Sequence, residues 1–398
     1  MQKKNKISSE NVLMIVLAFM SFSIGIWSNY RQLWLEEAGF SITDISRILS
    51  VALVCSSVIA FFISFFSSKV KVKNIILLSF VFRSIAMCIL LFVKDTYIIK
   101  TSILLGIMCE VIFSIAFYPL LTFVTKTDES YRKKTLIEYF SKDIGIVLCG
   151  LLLGVSIGKF IFDYNTCLLI SLISSLASCV FLIIYKEKDT HNHKPITLFN
   201  SMKEIFTSKI NNIFLVNQLI INISYGIVFD LMMLILTNYI GFEVAFTSVF
   251  IIVCNMLGTI ASSIFSKIGK DYSIRKSALI KFGVRSLGYL IAFLLNTRGV
   301  FIAAIIIAFV TSRILEDKVT GAFLQIVDEN NQFLYGNIRY FVACLGEGIG
   351  AFLAGILLVK SFRLLFLGAA VITIIQTTIF IYLSKLRKGI KIWEKKKK

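Results

Sequence analysis

Apolar residues in this chain come in long, nearly unbroken runs, not in the alternation of a half-buried strand or the narrow stripe of a surface helix. The runs cover about 11–31, 44–66, 74–93, 101–124, 135–158, 165–185, 210–238, 244–266, 278–296, 299–327, 336–359 and 362–384. Each is close to the roughly 20 residues a helix needs to cross a bilayer, so the pattern predicts an all-α polytopic membrane protein with twelve transmembrane helices. The first run follows Lys3, Lys4 and Lys6 as in a signal peptide. It is long, however, and leads into further spans, so it reads as a retained first helix.

The longest polar stretch, 186–209, contains Pro195, one of only two prolines. It reads as a cytoplasmic linker between an N-terminal six-helix bundle at 1–185 and a C-terminal six-helix bundle, with a basic tail, at 210–398. Four fragments repeat across it in order. Ser64-Phe-Phe-Ser-Ser-Lys69 returns as Ser262-Ser-Ile-Phe-Ser-Lys267, and Phe80-Val-Phe-Arg83-Ser84 as Phe282-Gly-Val-Arg285-Ser286. Glu110 with Ala116-Phe117 returns as Glu316 with Ala322-Phe323, and Tyr139-Phe140 with Gly145 and Gly154 as Tyr340-Phe341 with Gly346 and Gly355. The offsets are 198, 202, 206 and 201 residues. Halves of equal orientation imply a parallel repeat about an axis along the membrane normal.

Composition agrees with lipid as the solvent. Of 398 residues, 57% are hydrophobic and 16% charged, against about 45–50% and 25% in soluble domains. A net charge of +19 would raise nucleic acid as a partner of a soluble protein. Here the Lys and Arg residues gather in alternate short connections and at the two ends, which predicts both termini in the cytoplasm; the expected location is the cytoplasmic (inner) membrane. Nucleic acid is therefore not expected. The expected partners are a small-molecule substrate, protons and lipid, with a monomer as the expected state. The sequence has no G-x-x-x-x-G-K-[ST] loop, G-x-S-x-G or H-E-x-x-H. The two histidines, His191 and His193, lie in the linker, and the eight cysteines form no C-x-x-C. No enzyme activity, cofactor or metal is expected.

Twelve helices, a central linker and a six-plus-six repeat resemble the major facilitator superfamily over nearly the whole chain. In the second half, Tyr225-Gly-Ile-Val-Phe229-Asp230, Gly283-Val-Arg285-Ser-Leu-Gly288 and Arg313-Ile-Leu-Glu316 are similar to segments of the lactose permease group of proton symporters. The resemblance implies a proton-coupling role for Arg285 and Glu316. Tyr139 and Ile146 stand where that group has its sugar-binding arginine and sugar-stacking tryptophan, and Glu347 stands near its lysine, so galactoside transport is not implied. The expected function is a secondary active transporter that moves a small organic solute by alternating access, with proton symport as its coupling. Proton-antiport export is the alternative.

Arg83, Glu110, Lys142, Asp143, Asp230, Arg285, Arg313, Glu316, Asp317, Lys318 and Glu347 all fall inside the apolar runs. A charge at the centre of a span costs about 2.5–3.5 kcal/mol on insertion scales, so these groups are expected to pair or to face water. Arg83 with Glu110, and Arg285 with Glu316, occupy repeated positions and read as two ion pairs. They are either staples between adjacent helices or a proton-exchanging carboxylate with its arginine, Arg313 sharing a helix face with Glu316. The resemblance sets the first and seventh helices face to face. That makes Arg31, at the end of the first helix, and Asp230 a candidate external gate, and makes Trp27, Asn29, Tyr30, Asn222 and Tyr225 candidate cavity residues; Asp143 and Glu347, charged within the fifth and eleventh runs, are candidates for the same cavity. Gly150, Gly154 and Gly158 lie four apart and predict close helix packing.

Overall fold

A computed structural model describes residues 9–66, 71–124, 128–154, 156–157, 160–161, 163–185, 203, 205–295, 297–315, 319 and 332–397. The first six helices are α1 (Ser9–Glu37), α2 (Ile42–Phe66), α3 (Val72–Phe92), α4 (Thr96–Val124), α5 (Asp128–Gly154) and α6 (Tyr164–Ile184). The next, α7 (Lys209–Phe229), resumes after a turn as Met232–Leu234 and a π-helical Ile235–Tyr239. It is followed by α8 (Val244–Ile268) and by α9, built from Ile274–Ala278, a π-helical Leu279–Gly283 and Val284–Leu295. The last three are α10 (Arg298–Arg313), α11 (Gln332–Lys360) and α12 (Phe362–Lys397).

Among the described residues, ten helical segments are long and apolar enough to cross a membrane. Outside that set are α5, whose first half carries Asp128, Glu129, Arg132, Lys133 and Lys134, and the 16-residue α10. The fold is therefore all-α and polytopic. Strand pairing among the described residues is confined to β1 (Ser156–Ile157) and β2 (Phe160–Ile161), which are antiparallel. The expected fifth span thus ends at Gly154, and Gly158 and most of 186–209 lie outside the described residues. Helix starts follow local chemistry. Asp163 caps α6 by accepting from the Thr166 amide at 2.9 Å and the Thr166 hydroxyl at 2.8 Å, and Ser208 caps α7.

The chain divides into two compact units. Unit 1 comprises Met1–Phe40, Val58–Pro195 and Phe242–Val249; unit 2 comprises Ser41–Ser57, Ile196–Gly241 and Phe250–Lys398. In unit 1, Leu13, Val16, Leu17 and Met20 of α1 meet Phe80 of α3, Phe113 and Phe117 of α4 and Leu182 of α6 in one buried cluster. In unit 2, Phe214 of α7, Phe282 of α9, Tyr335 and Ile338 of α11 and Phe380 of α12 do the same. Large apolar side chains such as Leu78, Ile173 and Leu287 stay exposed, as lipid-facing positions do. Burial from water does not drive helices together inside a bilayer, so close packing and hydrogen bonds must.

Both devices are present, and both obey the sequence repeat. In unit 1, a side chain added at Gly145 of α5 would start 2.5 Å from Phe22 O of α1. One added at Gly25 of α1 would start 3.0 Å from Lys142 Cα of α5. In unit 2, one added at Gly346 of α11 would lie 3.3 Å from Ile223 N of α7, and one at Gly226 of α7 would lie 3.0 Å from Ala351 N of α11. Gly25 and Gly226, like Gly145 and Gly346, are 201 residues apart. Hydroxyl pairs repeat as well. Ser23 of α1 and Ser171 of α6 sit 2.9 Å apart, as do Ser224 of α7 and Thr373 of α12.

Candidate functional site

The register of α3 on α4 sets the first charged group. Phe80 packs against Phe113 with ring centroids 5.3 Å apart. On these antiparallel neighbours, three residues forward from Phe80 is Arg83 and three back from Phe113 is Glu110. Arg83 is fully buried. Its Nε and Nη2 donate to Glu110 Oε1 at 3.3 and 3.1 Å, and its Nη1 donates to Ser23 Oγ at 2.6 Å and Met87 Sδ at 3.6 Å. The other carboxylate oxygen, Glu110 Oε2, faces Arg31 Nη1 at 3.6 Å. That distance is electrostatic contact, beyond a good hydrogen bond. The Glu110 and Arg31 side chains keep 12% and 13% of their surface exposed, Arg83 none. One carboxylate thus sits between two guanidinium groups, leaving the trio a formal charge of +1.

The sequence pattern put Arg31 at the end of the first helix, as a gate to Asp230. The structure moves the end of that helix. Six more residues, with Leu33, Trp34 and Leu35 buried, carry α1 on to Glu37. Arg31 is therefore inside the helix, beside α4, and its ion pair is with Glu110. Asp230 follows the last residue of α7's first segment, next to Leu231 at φ −112° and ψ 19°.

In unit 2, Arg285 is buried at 4% exposure and its Nε donates to Thr311 Oγ1 of α10 at 2.9 Å. Thr311 lies 201 residues after Glu110, in line with the offsets of 201 and 202 that relate Ser23 to Ser224, Ser171 to Thr373 and Arg83 to Arg285. The fragment match that equated Glu110 with Glu316 needs 206, whereas the hydroxyl that meets Arg285 stands at 201. Threonine, not glutamate, occupies the repeated position. Glu316, Asp317 and Lys318 lie outside the described residues.

The helix expected over 299–327 stops at Arg313. Ile314 is extended (φ −67°, ψ 142°) and Leu315 takes the left-handed φ of 54°. Sequence reasoning passed over the residue that holds this end. Lys281, only 3% exposed, donates from Nζ to Ser312 O at 2.8 Å and Ile314 O at 3.0 Å. A buried ammonium on the last carbonyls of a helix offsets both their unmet hydrogen bonds and the negative end of the helix dipole. The available signal was its position four residues before Arg285 within an apolar run. Arg313 turns to α8, where Nη1 donates to Thr259 Oγ1 at 2.8 Å and Nη2 to Asn255 Oδ1 at 2.9 Å.

The expected cavity residues separate into two groups. Trp27 (4% exposed) and Tyr30 (0%) are packed inside unit 1. Trp27 meets Trp34 edge to face, while the Tyr30 hydroxyl donates to Ile146 O at 2.8 Å and also bonds Ser248 Oγ. Both side chains are buried in this structure. In unit 2, Tyr225 is 38% exposed and stacks on Phe229 at 4.4 Å, and Phe229 meets Phe309 edge to face at 4.9 Å. Asn222 and Glu347 are half-buried, with the Asn222 amide donating to Gln218 O at 2.7 Å. Asp143 is half-buried on α5, and the Asn29 side chain lies outside the described residues. Among the described residues, no group of three or more His, Cys, Asp or Glu side chains is placed to hold a metal ion.

The family model for the Major Facilitator Superfamily matches residues 11–330. No curated protein matches the chain. Among solved structures, a mutant of the nucleoside transporter NupG superposes with a TM-score of 0.74 at 13% identity, covering 94% of this chain and 100% of that one. A POT family transporter in complex with 5-aminolevulinic acid gives 0.72 at 13% identity, covering 94% and 96%. The human organic anion transporter MFSD10 (TETRAN) gives 0.68 at 7% identity, covering 94% and 100%. At these identities the likeness is one of fold.

Proposed function

Since the chain belongs to the major facilitator superfamily, we propose that it is a secondary active transporter carrying a small organic solute across the cytoplasmic membrane in symport with protons. The observation that carries the proposal is Glu110, a partly accessible carboxylate inside an apolar helix, held between Arg83 and Arg31. Each unit charge at 3–4 Å is worth about 4–5 kcal/mol of gross attraction at an effective dielectric of 20. Adding a proton removes the carboxylate's charge and with it both attractions. Arg83 keeps Ser23 and Met87 after protonation, whereas Arg31 loses its ion-pair partner.

In this reading, halves 1–185 and 210–398 alternate access, joined by the linker 186–209, with both termini in the cytoplasm as the basic connections support. Tyr225 and Phe229, with Asn222 and Glu347, offer the solute an aromatic face and polar contacts. Lys281, Arg285 and Arg313 fix the end of α10, from which Glu316 follows as the second candidate for proton exchange.

The test compares metabolites inside and outside cells of a deletion strain, the wild type and Glu110→Gln. A solute that both mutants leave in the medium is expected. One that both retain inside would replace symport with export. In vesicles, Glu110→Gln should lose accumulation driven by an acid exterior while keeping solute exchange; equal loss of both would make Glu110 a helix staple.

A further inference from the structure

We infer that the solute is an organic anion and that Arg31 is the group that binds its carboxylate or phosphoryl oxygens. The inference deepens the transport reading and rests on it. Three observations carry it.

The two arginines at Glu110 are not equivalent. Arg83 spends Nε, Nη1 and Nη2 on Glu110, Ser23 and Met87 and has no exposed surface. Arg31 holds Glu110 only at 3.6 Å, and its Nε is buried with no hydrogen-bond partner among the described residues. A guanidinium presents five donors in a rigid fork that fits an oxyanion. Here that fork is partly accessible and mostly unspent.

The charge balance points the same way. Two guanidinium groups over one carboxylate leave one positive charge in a low-dielectric setting, where an uncompensated charge is costly. When Glu110 takes a proton the excess becomes two. An anionic group arriving at Arg31 restores the balance, so proton and solute favour each other's binding without a direct contact between them.

The repeat shows which parts of this arrangement are scaffold. Ser23, Ser171, Arg83 and Phe80 have counterparts in Ser224, Thr373, Arg285 and Phe282. The position 201 residues after Arg31 is Met232, and that after Glu110 is Thr311. The helix-joining groups thus occur in both units, while the Arg31–Glu110 pair occurs in unit 1 alone. Departure from an otherwise retained pattern is where a specific task is expected.

The experiment reads the charge of the transported solute and its dependence on Arg31. Metabolite profiling of deletion and wild-type cells should yield a solute that is anionic at neutral pH. In vesicles, Arg31→Gln should raise KM for that solute by about tenfold to a hundredfold, the loss of a charge-assisted hydrogen-bonded pair, and Arg31→Lys should recover part of it. Both variants are first matched to the wild type in membrane level and melting midpoint; if Arg31→Gln does not reach the membrane, the KM of Arg31→Lys serves in its place. A neutral or cationic solute overturns the inference and leaves symport standing. So does an anionic solute whose KM is unchanged by both substitutions. If no solute redistributes between the strains, the transport reading itself falls, and the inference with it.

Discussion

Replacing Gly145 by alanine adds one methyl group where α5 crosses α1. That carbon would start 2.5 Å from Phe22 O and 3.0 Å from Ile26 N. Carbon contacts are most favourable at about 3.5–4.0 Å, so α1 and α5 must part by nearly 1 Å. Both neighbours are backbone atoms, and no rotamer change relieves them. Overpacking of this kind costs about 1–3 kcal/mol. The same substitution raises helix propensity by about 1 kcal/mol, which would mask part of the loss. Gly106 on α4 supplies the correction, because a carbon added there meets nothing within 4 Å. Gly106→Ala should stabilise the protein slightly, and the difference between the two variants should be about 1–3 kcal/mol with propensity cancelled. The assay is equilibrium unfolding of the purified protein in mixed micelles, titrated with SDS and followed by tryptophan fluorescence. Equal midpoints for the two variants would refute the claim that backbone contact at glycine joins α1 to α5.

Two further outcomes follow from single side chains. Lys281→Met removes the ammonium from Ser312 O and Ile314 O and should cost about 1.5–3 kcal/mol; amide hydrogen exchange at 312–315 should accelerate, and unchanged exchange would mean that Lys281 does not hold the end of α10. Asp163→Ala should cost about 1 kcal/mol as a lost N-cap, seen in the thermal midpoint at neutral pH. Burial works against the charged Asp163, but hydrogen bonds from Thr166 and Asn165 outweigh it and hold the carboxyl below its ordinary value. A depressed carboxyl stabilises the fold above its unfolded value and loses that contribution as pH falls through the folded one. The gap between wild type and Asp163→Ala should therefore close in acid, and a gap independent of pH would contradict the cap.

Hydropathy was enough to read ten of the spans among the described residues, because a span is long and its signal is summed over some twenty residues. The Arg83–Glu110 pair was also legible, since two charges on adjacent apolar runs have few ways to be accommodated. The break in α10 was not. Ile314-Leu315-Glu316 contains neither proline nor glycine, and the helix stops there where an ammonium from another helix takes its carbonyls, a tertiary cause that leaves no local mark. The match of Glu110 with Glu316 came from pairing like residues; the Thr311 hydroxyl that accepts from Arg285 Nε is chemically unlike glutamate, and only the steadiness of the offset gives it away. Trp27 and Tyr30 illustrate a third limit. In a bilayer protein an aromatic at a given depth has the same sequence signature whether it faces solute or a neighbouring helix; in this structure both side chains are buried.

The complete burial of Arg83 bears on how the chain is made. A guanidinium that sees no solvent in the finished protein still has to pass from ribosome to bilayer, and α3 alone would carry it there unpaired at about 2.5–3.5 kcal/mol. Only Val93, Lys94 and Asp95 separate α3 from α4, which brings Glu110. Likewise only Asn296 and Thr297 separate α9, with Lys281 and Arg285, from α10, whose carbonyls and Thr311 receive them. Each basic helix is thus followed at once by the helix that satisfies it, so the pair can leave the translocon as a hairpin already neutralised or hydrogen-bonded. The shortness of these two connections is then a condition of biogenesis as much as of architecture.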